Sequence, residues 1–362
     1  MTRPIFFILG LPRSGTTMLE LMLDNHSQVA VCPEISSGRV LWRLKAEKML
    51  ADPYQALIML DYFYRYTRHL DHPIAGCFAL QALRKMDYPV RTETWFQDII
   101  RDYLARAGAD CYIEKTPENL FYIPTINEIF PQSKYIALLR DPIDIMASLC
   151  KGMMAGKKIP MTRRLLITMA VLVKRGLQEL YRHKTFSSHE HIRIKYEDLV
   201  YNPRKTLEEV CQFMNIDFEA GMLEFQHKRS YLDQQEQMYI LHHNLHKPVT
   251  SSRVGQGHTF FMPEQLAFLH RFWLDEIAAS PYSTPVQYSR LNILNQLILY
   301  WTKFKFFLKT YMIEEYKNKL RFRLHHYAMK NFGNSCLKSF IFKNIVYREE
   351  EWEQIKRKYL KL

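Results

Sequence analysis

The sequence predicts an α/β fold of three layers, a central parallel sheet flanked by helices, with a helical C-terminal extension. Three observations predict it. Short apolar runs recur at Ile5–Leu9, within His26–Glu34, and at Asp110–Ile113, Lys134–Leu139 and His191–Ile194. Segments between them carry helical spacing, as in Trp95, Ile99, Ile100, Tyr103 and Leu104. The runs end in polar clusters, and parallel sheets of this kind bind ligands at the carboxyl ends of their strands. The chemistry is therefore expected on one rim.

The first run opens into Gly10-Leu11-Pro12-Arg13-Ser14-Gly15-Thr16-Thr17, and a helical pattern (Met18, Leu19, Leu21, Met22, Leu23) follows at once. Such a loop aims successive backbone N–H groups at one point, and the new helix adds its positive end, so a phosphate or sulfate can sit there. The spacing Gly10-x4-Gly15 is that of a P-loop, which makes the predicted architecture a three-layer P-loop fold. Thr16 stands where the usual pattern has lysine, and this argues against an ordinary ATPase. A cation is supplied instead at Arg13.

Further along, the second run delivers Glu34 near the sheet edge, and residues 38–70 and 92–107 read as helices. The third run leads to Glu114-Lys115-Thr116-Pro117, the fourth to Arg140-Asp141-Pro142, the fifth to Lys195-Tyr196-Glu197-Asp198. Asp141 is an N-cap with Pro142 at the first helical position; Asn202-Pro203 repeats the device, and Pro263 opens another helix through Leu269 and Trp273 to Ile277. The main domain is placed at 1–284 and the extension at 285–362. From Asn292 to about Lys330 an apolar stripe including Tyr300, Trp301, Phe304 and Phe307 alternates with lysines. It is either a helix packed on the domain or a basic amphipathic surface for an acidic membrane or partner, and both readings stay open.

With 48% hydrophobic and 24% charged residues the chain is globular, which excludes a disordered one. Its net charge of +13 is uneven: residues 285–362 hold 16 Lys and Arg against 6 Asp and Glu, while the first 284 hold 34 against 31. The basicity belongs to the extension, so the main domain is not expected to bind nucleic acid. Cys32, Cys77, Cys111, Cys150, Cys211 and Cys336 show no paired spacing and read as free thiols of a reducing compartment. The run at 5–9 is too short for a secretory signal, and no uninterrupted apolar stretch of about 18 residues exists. The expectation is a cytoplasmic protein, with peripheral contact to an anionic membrane through 291–330 and a homodimer both left open.

Arg13 to Thr17, Lys115, and Arg140 with Ser148 place anion-handling groups at three strand ends, which asks for a nucleotide with two separated anionic ends. The combination resembles the sulfotransferases that use 3′-phosphoadenosine 5′-phosphosulfate (PAPS). Pro12-Arg13-Ser14-Gly15-Thr16-Thr17 is similar to their 5′-phosphosulfate loop, and Leu139-Arg140-Asp141-Pro142 through Ser148 to their 3′-phosphate element. Lys195-Tyr196-Glu197-Asp198-Leu199 resembles the segment whose tyrosine lies by the adenosine. Ser252-Arg253-Val254-Gly255 resembles the late segment that returns to the 3′-phosphate. The resemblance covers roughly 3–284 and is nearest the tyrosylprotein-sulfotransferase branch, whose catalytic carboxylate follows the loop arginine by 21 residues, here Glu34. The histidine base of the small-molecule branch would fall at Pro117 and is excluded.

What the resemblance implies is an enzyme moving the sulfuryl group of PAPS to an acceptor hydroxyl by in-line displacement, releasing 3′,5′-ADP (PAP), with no metal required. Glu34 is the general base, expected to be raised by burial. Lys115 and Arg13 offset charge as the S–O bond breaks. Arg13, Ser14, Gly15, Thr16, Thr17, Arg140, Ser148, Tyr196, Arg253 and Gly255 bind the nucleotide. The acceptor is tyrosyl, glycan, lipid or a small metabolite. Other readings are a P-loop kinase or other nucleotide-dependent transferase, and a nucleotide-binding module attached to a membrane or partner through its basic tail. Glu118 is read as a helix-start carboxylate rather than a rival base. His242, His243 and His246 lack carboxylate or cysteine neighbours at ligand spacing and are read as loop or acceptor-site residues.

Overall fold

A computed structural model describes residues 4–32, 34–43, 49–50, 77, 89–157, 162–182, 190–227 and 249–282. The chain divides into two compact units, Met1–Tyr288 and Ser289–Leu362, and all described residues belong to the first. The basic stripe of 291–330, the three clustered histidines and most of the helix expected over 38–70 lie outside the described residues.

Five strands form one parallel sheet: β1 Phe6–Gly10, β2 Val29–Cys32, β5 Cys111–Lys115, β6 Lys134–Leu139 and β7 His191–Lys195. Their order is β2-β5-β1-β6-β7, so the first strand is central and the Glu34 segment leaves an edge strand. Two short strands, β3 Met49–Leu50 and β4 Val90–Arg91, pair separately and antiparallel. The large strands are near-continuous apolar runs because both faces are covered, as parallel sheets require.

Strand alternation assigns the faces. Phe6 and Ile8 of β1 and Cys111 and Ile113 of β5 join a buried cluster with helix α1 (Thr16–Asp24), and its far side is supplied by Val210 and Met214. Phe7 points the other way and stacks on Tyr135 at 5.8 Å. Tyr112 shares that second face and meets Tyr103 of helix α3 (Thr92–Ala107) edge-on at 6.1 Å. Helices on both faces give the three layers, as the sequence predicts. Helix α3 spans the residues that the spacing predicts, burying Trp95, Ile99, Ile100, Tyr103 and Leu104 and ending at Gly108 (φ 66°).

The other described helices are α2 Ser37–Arg43, α4 Ile123–Ile129, α5 Pro142–Lys157, α6 Arg163–Arg182, α7 Tyr196–Tyr201 and α8 Pro203–Met214, then α9 Gln256–Phe260, α10 Pro263–Phe272 and α11 Leu274–Ala278. Asp141 caps α5 as predicted, its Oδ1 accepting from Ile143 N at 2.7 Å. The helix expected from Pro263 to Ile277 is broken at Trp273, whose indole N–H is drawn 2.9 Å from the Ala170 carbonyl of α6. No helix among the described residues is long and apolar enough to cross a membrane.

Helix α9 docks on the start of α5 through His258, whose Nε2 lies 3.0 Å from Asp141 Oδ2. The Asp141 bond holds the imidazole above its ordinary range against partial burial, and Asp141, although burial opposes its charge, is held below the carboxylate range by His258 and by backbone N–H groups. A raised histidine contributes stability that is complete below about pH 6.5 and lost as pH rises through its folded value. The lowered carboxyl contributes above about pH 4 and fades as pH falls through its own folded value. Because His258 is 41% exposed, the pair is worth no more than about 1 kcal/mol. Thermal melts of wild type and His258→Gln between pH 5 and 9 are expected to differ most near pH 5 and to converge by about pH 8. A difference independent of pH would show that His258 stabilises by packing alone.

Candidate active site

The polar groups converge where the sequence places them, at the carboxyl ends of β1, β5 and β6. Two clusters form there, one around Lys115 and one around Arg13 and Arg140.

Lys115 ends β5, and strand alternation puts it on the same face as Ile113, toward α1. It is 1% exposed. Its Nζ lies 2.7 Å from Glu34 Oε1 and 3.0 Å from Glu20 Oε2 of α1. Burial disfavours the ammonium, but the charges of Glu20 and Glu34 outweigh it and hold Lys115 above its ordinary range. Lys115 is therefore a fixed cation and not a proton acceptor. The burial expected to raise Glu34 is absent: its side chain is 41% exposed, because β2 is an edge strand and the residue leaves it into a loop.

The preceding residue, Glu114, points to the opposite face and fixes the Glu34 segment from behind. Its carboxylate accepts from Ser37 N at 3.2 Å, from the Ser37 hydroxyl, and from Thr116 Oγ1 and Asn119 Nδ2 at 2.9 Å each. Burial pushes this carboxyl up, against the lowering effect of those donors. Ser36 takes a left-handed conformation (φ 53°), and its N–H donates to Thr116 Oγ1 at 3.1 Å. Two adjacent residues of one strand thus grip a single segment, the Glu114 carboxylate by accepting from Ser37 and the Lys115 ammonium by donating to the Glu34 carboxylate. Glu118 pairs with Arg39 at 3.1 Å in an exposed position at the start of a 3-10 turn, as the sequence suggests.

The glycine-framed loop runs from β1 into α1. Gly15 (φ 102°) caps α1, and a Cβ there would lie 2.6 Å from the Tyr196 ring, so glycine is required by conformation and by space. Arg13 is also left-handed (φ 73°), and its Nε donates to Ser148 Oγ of α5 at 3.2 Å. Thr16 is buried and Thr17 half-buried at the first turn of α1. Ser14 is fully buried, and no group among the described residues bonds its Oγ.

Arg140 extends from β6 under this loop. Its Nη1 donates to the Arg13 carbonyl and its Nη2 to the Arg253 carbonyl, both at 2.9 Å, and its guanidinium stacks 4.2 Å from the Tyr196 ring centroid. Arg140 Nε is buried with no acceptor among the described residues. The Gly255 N–H donates to Asp144 Oδ2 at 2.8 Å, and Gly257 N to Asp144 Oδ1 at 2.6 Å. Burial and the nearby cations Arg253 and Arg140 hold the Arg13 guanidinium below its ordinary range. Three arginines therefore crowd one place, an arrangement stabilised by an anion.

The structure brings Arg13, Ser14, Gly15, Arg140, Ser148, Tyr196, Arg253 and Gly255 into one contiguous group, with Glu34 and Lys115 paired on a neighbouring strand. It gives two of them different immediate partners from those expected: Arg140 spends two donors on carbonyls, and Gly255 its amide on Asp144. Sequence reasoning missed Glu20, Glu114 and Asp144. Glu20 carried a usable signal, since it shares the buried stripe Thr16, Leu19, Leu23 of α1, where a solvated glutamate does not belong.

Residues 4–220 match the family model described as the sulfotransferase family. The nodulation protein NoeE of Sinorhizobium fredii is 30% identical over 150 residues, covering 40% of this chain and 30% of that protein. Protein-tyrosine sulfotransferase 1 of Danio rerio is 26% identical over 229 residues, covering 61% of this chain and 55% of that one. The chain thus spans between 30% and 55% of these relatives' lengths. The sulfotransferase domain from the curacin biosynthetic pathway superposes with a TM-score of 0.54 at 19% identity, covering 78% of this chain and 99% of that one, a likeness of fold. With its α/β architecture, its glycine-framed loop and a family match over more than half its length, the chain belongs to the sulfotransferase family.

Proposed function

We propose that this protein is a PAPS-dependent sulfotransferase that sulfates an acceptor hydroxyl, with Glu34 as general base. The observation that carries the reading is the Glu34–Lys115 pair, 2.7 Å apart, beside a loop where Arg13, Arg140 and Arg253 gather. The residues present fit such a nucleotide: Ser14 Oγ and Arg140 Nε are buried polar atoms that no group among the described residues satisfies, and the clustered arginines are stabilised by an anion. Bound PAPS supplies an activated sulfuryl group, and transfer makes a new O–S bond as the bond to the 5′-phosphate oxygen breaks.

The chain's own groups divide the work. Ser14, Gly15, Thr16 and Thr17 hold the 5′-phosphosulfate by hydrogen bonds at the positive end of α1. Arg140, Arg253 and Ser148 serve the 3′-phosphate, with Gly255 shaping the segment that carries Arg253. Tyr196 lies by the adenosine. Arg13 and the ammonium of Lys115 offset negative charge on the departing oxygen, and Glu34 takes the acceptor proton at its carboxylate. An accessible Glu34 suits this role, because the acceptor must reach it. Positioning and electrostatics supply the acceleration, as in phosphoryl transfer. The acceptor is a hydroxyl-bearing compound.

Two outcomes test this reading. Saturating PAP at about 100 times its dissociation constant is expected to stabilise the protein by about 2.7 kcal/mol in thermal melts. Stabilisation by ATP with Mg2+ and none by PAP would sink it. Incubation with 35S-labelled PAPS and an extract of acceptors is expected to label a product, with Glu34→Gln about 10²–10⁴ slower and PAP binding kept. Equal labelling by that variant would remove Glu34 from the chemistry.

A further inference from the structure

Glu20 has no part in the mechanism just described, yet it is the buried one of the two carboxylates at Lys115. It projects from α1 among Thr16, Leu19 and Leu23, its side chain 1% exposed, with Oε2 3.0 Å from Lys115 Nζ. Glu34 reaches the same nitrogen at 2.7 Å from a loop and is 41% exposed. The two carboxylates therefore differ in setting: one is fixed on a helix inside the protein, the other is half-exposed on a loop.

An ammonium held by the base alone would present a conflict. To accept a proton, Glu34 must loosen its hold on Lys115, and Lys115 would then lose its anchor as charge develops on the departing oxygen. A second carboxylate on a rigid element removes the conflict. Titratable neighbours do not compete for the lysine: burial pushes the Cys32 thiol on β2 and the Tyr103 hydroxyl on α3 up, so both stay protonated.

We propose that Glu20 is a positioning residue for sulfuryl transfer, holding the Lys115 ammonium through its own ion pair so that Lys115 stays anchored when Glu34 takes the acceptor proton. The inference rests on the roles given above to Glu34 and Lys115.

Lysine-selective 1H–15N spectra of the full chain test it without reference to turnover. They detect an ammonium whose protons are held in hydrogen bonds away from water, and Lys115→Met assigns the resonance. The resonance is expected to persist in Glu34→Gln and to be lost in Glu20→Gln. Alongside, Glu20→Gln is expected to lower kcat at least about tenfold, since small misplacements of a catalytic group carry such losses. KM for PAPS should stay within about twofold, because no loop contact is removed. Glu20→Asp should recover part of the rate.

A resonance that survives Glu20→Gln and vanishes in Glu34→Gln overturns the proposal, as does an unchanged kcat in Glu20→Gln. Should Glu20→Gln fail to fold, the Glu34→Gln spectrum decides alone: loss of the resonance there means that Glu34 holds the lysine. If the spectra behave as expected but wild type transfers nothing from PAPS, the activity reading fails, while the Glu20–Lys115 anchor stands.

Discussion

Taking an ammonium out of water costs several kcal/mol unless carboxylates meet it, and Lys115 is 1% exposed at the end of an interior strand. The local structure answers to that one charge. Helix α1 must pack so that Glu20 reaches it, and the loop after β2 must turn back so that Glu34 does. Removing one partner of a buried pair leaves the other charge uncompensated, at about 3–5 kcal/mol. The same contacts that settle the cost bring three elements of chemistry together. Strand order matters here: β5 lies between β1, which leads into α1, and β2, which leads to Glu34, so a lysine on β5 can meet both.

The second cluster obeys the opposite rule. Around Lys115 two acids surround one base, whereas around the glycine-framed loop Arg13, Arg140 and Arg253 repel one another. Backbone carbonyls and the Tyr196 ring hold Arg140 there, and Asp144 holds the segment carrying Arg253 by two backbone N–H groups. Asp144 also lies 4.0 Å from Arg140 Nη2, so one buried carboxylate offsets part of the charge of three arginines. A surplus of positive charge at the loop, and beside it a Glu20–Lys115–Glu34 cluster with one carboxylate in excess, is the polarity that an anionic donor and a hydroxyl acceptor giving up a proton call for.

The five strands of the parallel sheet and the Asp141 cap were legible because they rest on local signals, whereas Asn202, at the N-cap position of α8, makes no side-chain cap bond. β6 matches its apolar run residue for residue, α3 runs from 92 to 107 as its spacing predicts, and Asp141 caps α5. The loop and its arginine were legible because glycine spacing is a backbone requirement written in single letters. Glu114 and Asp144 were not, because an acid inside a helix or strand run looks like a solvated residue until its partner, distant in sequence, is known; Glu20 shows its burial by its stripe on α1 but not its partner. Lys115 and Glu20 are 95 positions apart, and Gly255 and Asp144 are 111. The error at Glu34 had the same root, since exposure depends on β2 being an edge strand, which pairing alone decides.

The threonine at the usual lysine position of the loop acquires a physical reason from these contacts. A lysine on α1 at Thr16 would swing on a four-carbon stem with substantial rotamer entropy to lose. Lys115 instead enters from β5, its stem buried and its ammonium held by two carboxylates before any ligand arrives. The loop is left with small side chains and Arg13, whose guanidinium is steadied by Ser148 of α5. In the proposed reaction the loop with α5 and β6 grips the donor, Arg13 of the loop and Lys115 of β5 meet the departing oxygen together, and Glu34 takes the acceptor proton.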